Sequence, residues 1–333
     1  MTMAPGFRRR TLLGAGLAAT VTGGLTARTA HAVSSGSSGH ITEPTIYGTS
    51  AWGARPPSED IVVVDRPPRY IVVHHTVNPG NTDDISREHA FEISRAIQSF
   101  HMNSNGWIDT GQQFTISRGG HITEGRHRSL EILREGTRHV EGTNVADNNS
   151  RVIGIENEGL YTEEDVPDML WDSLTDLVTY MAYQYDVPPQ LITGHRDFNS
   201  TQCPGDVLYE RLVELRGTVA ARLGTPLPPS VPEWPLLRPG DEGERVRVAQ
   251  RLLRERGARV PMDGVFGPTT RAAVAEMAAA HGLDTPGCAA CARTDERGFL
   301  GADIWPLLVG HERSGTAASE WSTSEWKQRL AVS

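Results

Sequence analysis

A His and a Cys stand eight residues apart in the stretch ITGHRDFNSTQCPGD, residues 192–206. Together, the His195 imidazole and a Cys203 thiolate are half of a zinc site. The local sequence also favours ionisation of the Cys. Pro204 follows it, and Pro suits the first position of a helix because its missing N–H costs nothing there. Leu208, Leu212, Leu215 and Val219 then recur at helical spacing. The spacing predicts a helix opening at Pro204, with Cys203 at its N-terminus, where the dipole favours thiolate.

Other segments must position this loop. Residues 70–76, YIVVHHT, are a β-branched run closed by Asn78, Pro79 and Gly80. They read as a strand buried on both faces. Alternation puts Val72 and His74 on one face and Val73 and His75 on the other. Polar rings at the end of an apolar strand need partners, in the core or as ligands. Residues 152–158, VIGIENE, read as a second strand with Glu156 and Glu158 on one face, where a carboxylate is costly unless used or paired. Ile85, His89, Ile93, Ile97 and Phe100 mark a helical stripe as far as His101. Residues 111–117 and 121–123 form strands around a turn at Arg118, Gly119 and Gly120, and polar residues 125–150 are expected to be a surface loop. Leu170, Leu174, Leu177, Val178 and Met181 mark an amphipathic helix over 167–186. Strands alternating with helices predict an α/β domain over 47–222, a central mixed β-sheet flanked by helices.

Residues 1–32 read as a twin-arginine signal peptide: Arg8, Arg9 and Arg10 precede a mild apolar run, and Ala30-His31-Ala32 forms a small-x-small cleavage pattern. Residues 33–46 read as a Ser/Gly linker. Residues 223–235, with five prolines, read as a second, stiff linker. A small all-α domain is expected over 236–310, with Val246, Ala249, Leu252 and Leu253 on one helical face and Thr269 capping a further helix. Residues 311–333 read as a Ser/Thr-rich tail expected to be loosely ordered, with Trp321 and Trp326 as candidates for docking. The formal charge is −9; loss of residues 1–32 removes four of the 32 basic residues and none of the 41 acidic ones, leaving −13. That argues against a nucleic-acid binder. No apolar run approaches the ~20 residues of a membrane span. Of the three cysteines, Cys288 and Cys291 form a C-x-x-C, read as a local disulfide or inert thiols, and Cys203 is left over. The exported chain is expected to be a monomer.

Five stretches in order, AWGARPP (51–57), YIVVHHT (70–76), GWIDTGQQFTISRGG (106–120), VIGIENEG (152–159) and GHRDFNSTQCPG (194–205), together resemble the type-2 amidase family, which includes the peptidoglycan recognition proteins. The resemblance implies that His74, His195 and Cys203 hold one zinc with a fourth position open, as in catalytic sites. It implies Glu156 as the proton carrier and Thr201 as a donor to a developing oxyanion. Gln112, His75 and Asn144 are the candidate substrate-binding residues. Gln112 stands where recognition-protein amidases carry a Tyr, and an amide can donate a hydrogen bond but cannot act as an acid. Asn144 stands where many relatives carry a His. His75, on the wrong face to share the metal, is expected to pack or make a hydrogen bond. LLRPGDEGERVRVAQRLLRERG followed by DGVFGPTTRAAV resembles a peptidoglycan-binding domain. The expected function is a secreted zinc amidase cutting between N-acetylmuramic acid and L-alanine in peptidoglycan, its wall partner. The competing expectation, motivated by Gln112, is a non-catalytic recognition module. A generic zinc peptidase is disfavoured because the sequence has no HExxH.

Overall fold

The computed structural model describes residues 41–228, 234–283 and 295–310. In chain order the first part carries β1 (Ile46–Tyr47), β2 (Val63–Val64), β3 (Tyr70–His75), α1 (Arg87–Asn103), β4 (Phe114–Ile116), β5 (Ile122–Glu124), α2 (Ser129–Glu135), β6 (His139–Val140), β7 (Val152–Asn157), α3 (Asp168–Tyr185), β8 (Ile192–Gly194) and α4 (Asp206–Leu223). Six strands form one sheet in the order β1-β5-β4-β7-β3-β8, and β2 pairs with β6 apart from it. The β4–β5 pair is antiparallel and the other pairings of the large sheet are parallel, so the sheet is mixed, as expected.

Strand β3 lies between β7 and β8 and is buried along its whole length. Its two faces serve different ends. Ile71 and Val73 join the main core with Leu174 and Leu177 of α3 and Leu208 and Leu212 of α4. Tyr70 and Val72 join a smaller cluster with Val145, Val152 and Phe198. The two-residue period carries this division into the last two residues, so His75 continues the core face and His74 the opposite one. In β7, Ile153 and Ile155 likewise enter the main core, leaving Glu156 on the face of Val152. A second hydrophobic cluster forms around α5 (Glu244–Glu255), α6 (Pro268–Ala280) and α7 (Trp305–Val309), with Phe266 and Leu300 fully buried. Both clusters fall within one unit of the chain, Ser38–Ser333.

Several local expectations are corrected. Residues 125–150 are not an irregular surface loop, because Ile132 and Leu133 of α2 are fully buried. The polar character of the stretch hides this seven-residue helix with one apolar face. Ile85 and Phe100 are exposed, at 50% and 39%, and lie outside the buried face of α1, which starts after its cap Ser86 and buries Ala90, Ile93 and Ile97. The helix after Cys203 starts at Asp206, not at Pro204. Gly205 precedes it with φ +93°, its α-carbon pressed so close to the Tyr161 backbone that a Cβ would lie 2.3 Å from it. That contact turns the chain before the helix can begin. In the second cluster Pro268 takes the first position of α6 and Gly267 its cap, so Thr269 lies inside the helix. The linkers are shorter than expected: Ile46 pairs in the sheet, and Trp234 stacks on Trp305 at 6.1 Å in the second core. The readings of residues 1–32, of Cys288 and Cys291, and of 311–333 lie outside the described residues.

Candidate metal centre

Three segments bring His74, His195 and Cys203 together. His74 is the last residue but one of β3, on the face away from the main core. Strand β8 pairs with β3 in the register Val73↔Gly194, so His195, the next residue, emerges level with His74. The two rings lie 4.6 Å apart. Cys203 arrives from the turn ahead of α4, where Arg196 N–H donates to its carbonyl at 3.0 Å. The three ligand atoms lie within 4.8 Å of one another and all three residues are fully buried.

The geometry fits a metal. For Zn–S of ~2.3 Å and Zn–N of ~2.05 Å at a tetrahedral angle, sulfur and nitrogen lie about 3.5 Å apart. Cys203 Sγ and His74 Nδ1 are 3.6 Å apart. His195 Nε2 is held by Asn199 Oδ1 at 3.1 Å, which assigns the ring proton to Nε2. Its Nδ1 is buried with no hydrogen-bond partner among the described residues, the state expected of a ligand atom. The backbone N–H of His75 donates to Cys203 Sγ at 3.4 Å, and a donor at sulfur favours the thiolate.

Glu156 lies one strand away. On β7 it is the register partner of His74 of β3 and of Thr115 of β4, so the three side chains share a face. It also lines a groove of about 500 Å³ between α1 and the ends of β3 and β7, together with Thr76, Pro79, His89, Ile93 and His101. Glu158 has a different setting. It accepts from His89 Nε2 at 2.6 Å and from Arg118 N–H at 2.8 Å, and is fully buried.

The three substrate-binding candidates are placed apart. Gln112 is buried and donates Nε2 to Thr115 Oγ1 at 2.8 Å, beside Glu156 in the sheet. His75 is buried on the opposite face, where its Nδ1 accepts from Tyr161 N–H at 3.3 Å. Asn144 gives its Nδ2 to Gly111 O at 3.0 Å and Gln113 Oε1 at 3.2 Å. None of the three lines the groove, and the last two are engaged in holding loops. Thr201, expected near a developing oxyanion, donates its hydroxyl to Glu296 Oε1 at 3.0 Å and accepts from Cys203 N–H at 3.1 Å. Three contributors were missed by the sequence reading. Asn199, four residues after His195, had a local signal. The His75 N–H and Glu296 had none, since neither contact has a period or a motif.

Asp109 ties the loop that carries Gln112 to α1 and to the turn that precedes α2. Gln98 Nε2 donates to its Oδ1 at 2.8 Å, and His127 approaches its Oδ2 with backbone N and Nδ1, each at 2.8 Å. Burial works to raise the Asp109 carboxyl, but hydrogen bonds from His127, Gln98 and the Thr110 backbone outweigh it and hold it below 3.8. The bond to Asp109 in turn raises the His127 imidazole above 6.5 against its own burial. The carboxylate's contribution to stability is present above 3.8 and lost as pH falls through the lowered value. The imidazolium's is fully present below 6.5 and lost as pH rises through the raised value. The Tm difference between wild type and His127→Ala should therefore be larger near about pH 5.5 than near about pH 8.5, a comparison that thermal melts at the two pH values would make.

Residues 64–206 match the family described as N-acetylmuramoyl-L-alanine amidase, and residues 242–287 match the putative peptidoglycan binding domain. The N-acetylmuramoyl-L-alanine amidase of Sus scrofa is 29% identical over 171 residues, covering 51% of this chain and 27% of that protein. Peptidoglycan-recognition protein LB of Drosophila melanogaster is 27% identical over 168 residues, covering 50% of this chain and 67% of that protein. The solved structure of wild-type Drosophila PGRP-LB aligns with a TM-score of 0.44 at 27% identity, over 50% of this chain and 92% of that one. The chain thus spans little more than a quarter of the mammalian amidase it matches.

Proposed function

We propose that this chain, which carries an amidase-family domain over residues 64–206 and a peptidoglycan-binding-family domain over residues 242–287, is a secreted zinc-dependent N-acetylmuramoyl-L-alanine amidase. It would cut the amide between N-acetylmuramic acid and the L-alanine of the peptide stem. The observation that carries the reading is the buried His74, His195 and Cys203 cluster, with Glu156 in register one strand away and lining a groove.

Two imidazoles and one thiolate suit zinc, which when bound would polarise the scissile carbonyl and acidify a water. Glu156 takes the proton of the attacking water and returns it to the leaving amine, the role its place on the groove wall allows. The groove receives the stem peptide along α1. The Glu158 contacts with His89 and Arg118 keep the α1 wall fixed against the sheet. Thr201 acts through the Cys203 backbone, because its hydroxyl proton is given to Glu296. The second domain holds the enzyme on the wall and raises the local concentration of substrate. Residues 1–32 direct export. No helix among the described residues is long and apolar enough to cross a membrane.

A second reading, a wall-binding recognition module without catalysis, is favoured by Gln112, whose amide is committed to Thr115. One assay separates the two. Purified protein is given peptidoglycan with and without a chelator, and free stem peptides with an L-alanine N-terminus are measured. Chelator-sensitive release is the expected result; retention on the wall with no release assigns the binding module.

A further inference from the structure

The contacts of Thr201 lead out of the amidase-family domain. Residues 199–203 run from Asn199, which orients His195, to the ligand Cys203. Each of the three residues between them is gripped by the segment that follows α6. Ser200 Oγ donates to Asp303 and accepts from Gly301 N–H at 2.8 Å. Thr201 Oγ1 and Gln202 N–H both donate to one oxygen of Glu296, Oε1, at 3.0 and 2.9 Å. Glu296 is 5% exposed and Thr201 fully buried. A hydroxyl has a single proton, and giving it to the carboxylate leaves a lone pair for Cys203 N–H. Asp206, just after the loop, joins Arg196 at 2.8 Å to Arg238 of the second part of the chain.

We propose that Glu296 is a positioning residue for the metal centre: through Thr201 and Gln202 it sets the backbone of the Cys203 turn before metal arrives. The physical reason is that a turn with no regular ladder must have its donors satisfied from elsewhere, and charge-assisted bonds to a buried carboxylate are the strong way to do so. The segment that follows α6, beyond the residues 242–287 that match the peptidoglycan-binding family, then holds the turn that presents Cys203. The close approach is built in. Gly301 lies so near Ser200 that a Cβ on it would meet Ser200 Cα at 2.7 Å and Asn199 O at 3.2 Å.

The inference rests on the metal-site part of the proposed function, and metal affinity tests it independently of hydrolysis. Full-length protein is stripped of metal and titrated with cobalt(II), followed by its thiolate-to-metal absorption. Glu296→Ala should weaken cobalt binding by about tenfold or more. Glu296→Gln should stay within about threefold of wild type, because its amide oxygen accepts the same two bonds. Gly301→Ala keeps Glu296 but pushes its segment off the loop, and should weaken binding as Glu296→Ala does. This variant decides the matter if Glu296→Ala fails to fold. Wild-type affinity in Glu296→Ala, or equal loss in Glu296→Gln, overturns the proposal. A wild-type protein that binds no cobalt overturns both the proposal and the metal reading. A wild-type protein that binds cobalt and cuts nothing ends only the amidase reading.

Discussion

Cys203→Ala is expected to lose its metal and, with it, all chelator-sensitive hydrolysis. Two imidazoles remain, His74 and His195, and two neutral ligands hold a divalent ion far more weakly than the same pair with a thiolate. The loss should exceed the roughly 10–100-fold that follows from removing a residue that only hydrogen-bonds a ligand. The variant itself should fold. The apolar neighbours of Cys203 are Val77 and Leu160, in a small cluster away from the main core, and removing one sulfur from it costs about 1–2 kcal/mol. A metal that binds only the folded state at about 100 times its Kd adds roughly 2.7 kcal/mol. The melting temperature of wild type should therefore fall on chelation, whereas that of Cys203→Ala should not move. Metal content by elemental analysis and melts with and without chelator check both halves. Full zinc occupancy in Cys203→Ala would remove the Cys from the ligand set.

Glu156→Gln separates chemistry from metal holding. The amide keeps the size of the side chain on β7 beside His74, so the groove wall and the sheet register are preserved. An amide cannot carry a proton between the attacking water and the leaving amine. General acid–base groups contribute about 10²–10⁴ in rate. The expected result is a kcat lower by that factor, roughly 3–5 kcal/mol of barrier, with zinc content and KM close to wild type. Glu156→Ala should show the same split. A rate within about tenfold of wild type would move the proton carrier to another residue. Glu158 is a poor substitute, because its two oxygens are taken by His89 and the Arg118 backbone.

Much of this arrangement is legible in the chain because it obeys a period. The two-residue repeat of a strand places His74 opposite His75 and on the same side as Val72, and the structure keeps that division. The same repeat places Glu156 on the face of Val152. The 3.6-residue repeat marks α3 and the core face of α4, whose Leu208, Leu212, Leu215 and Val219 are all buried. Local reading fails where a contact overrides the local preference. Pro204 suits a helix start, but the Tyr161 backbone occupies the space beside Gly205, and the helix waits until Asp206. Ile85 completes an apolar stripe on paper, yet Ser86 caps α1 and leaves Ile85 outside it. The helix α2 is hidden because three buried apolar residues among polar neighbours are too few to show a period.

Which side chains face which side of their own strand or helix follows from residue order alone, since it depends on the backbone geometry of one element. The chain also supplies the residue types that can bind a metal and carry a proton. Which distant elements meet is set by packing between them. His74 and Cys203 lie 129 residues apart and come within 3.6 Å because β3 and β8 pair and Gly205 turns the chain. Glu296 reaches Thr201 across 95 residues, from the segment after α6, with no motif to announce it. Contacts of that range depend on how whole elements pack against one another, and no periodicity within a single segment encodes them.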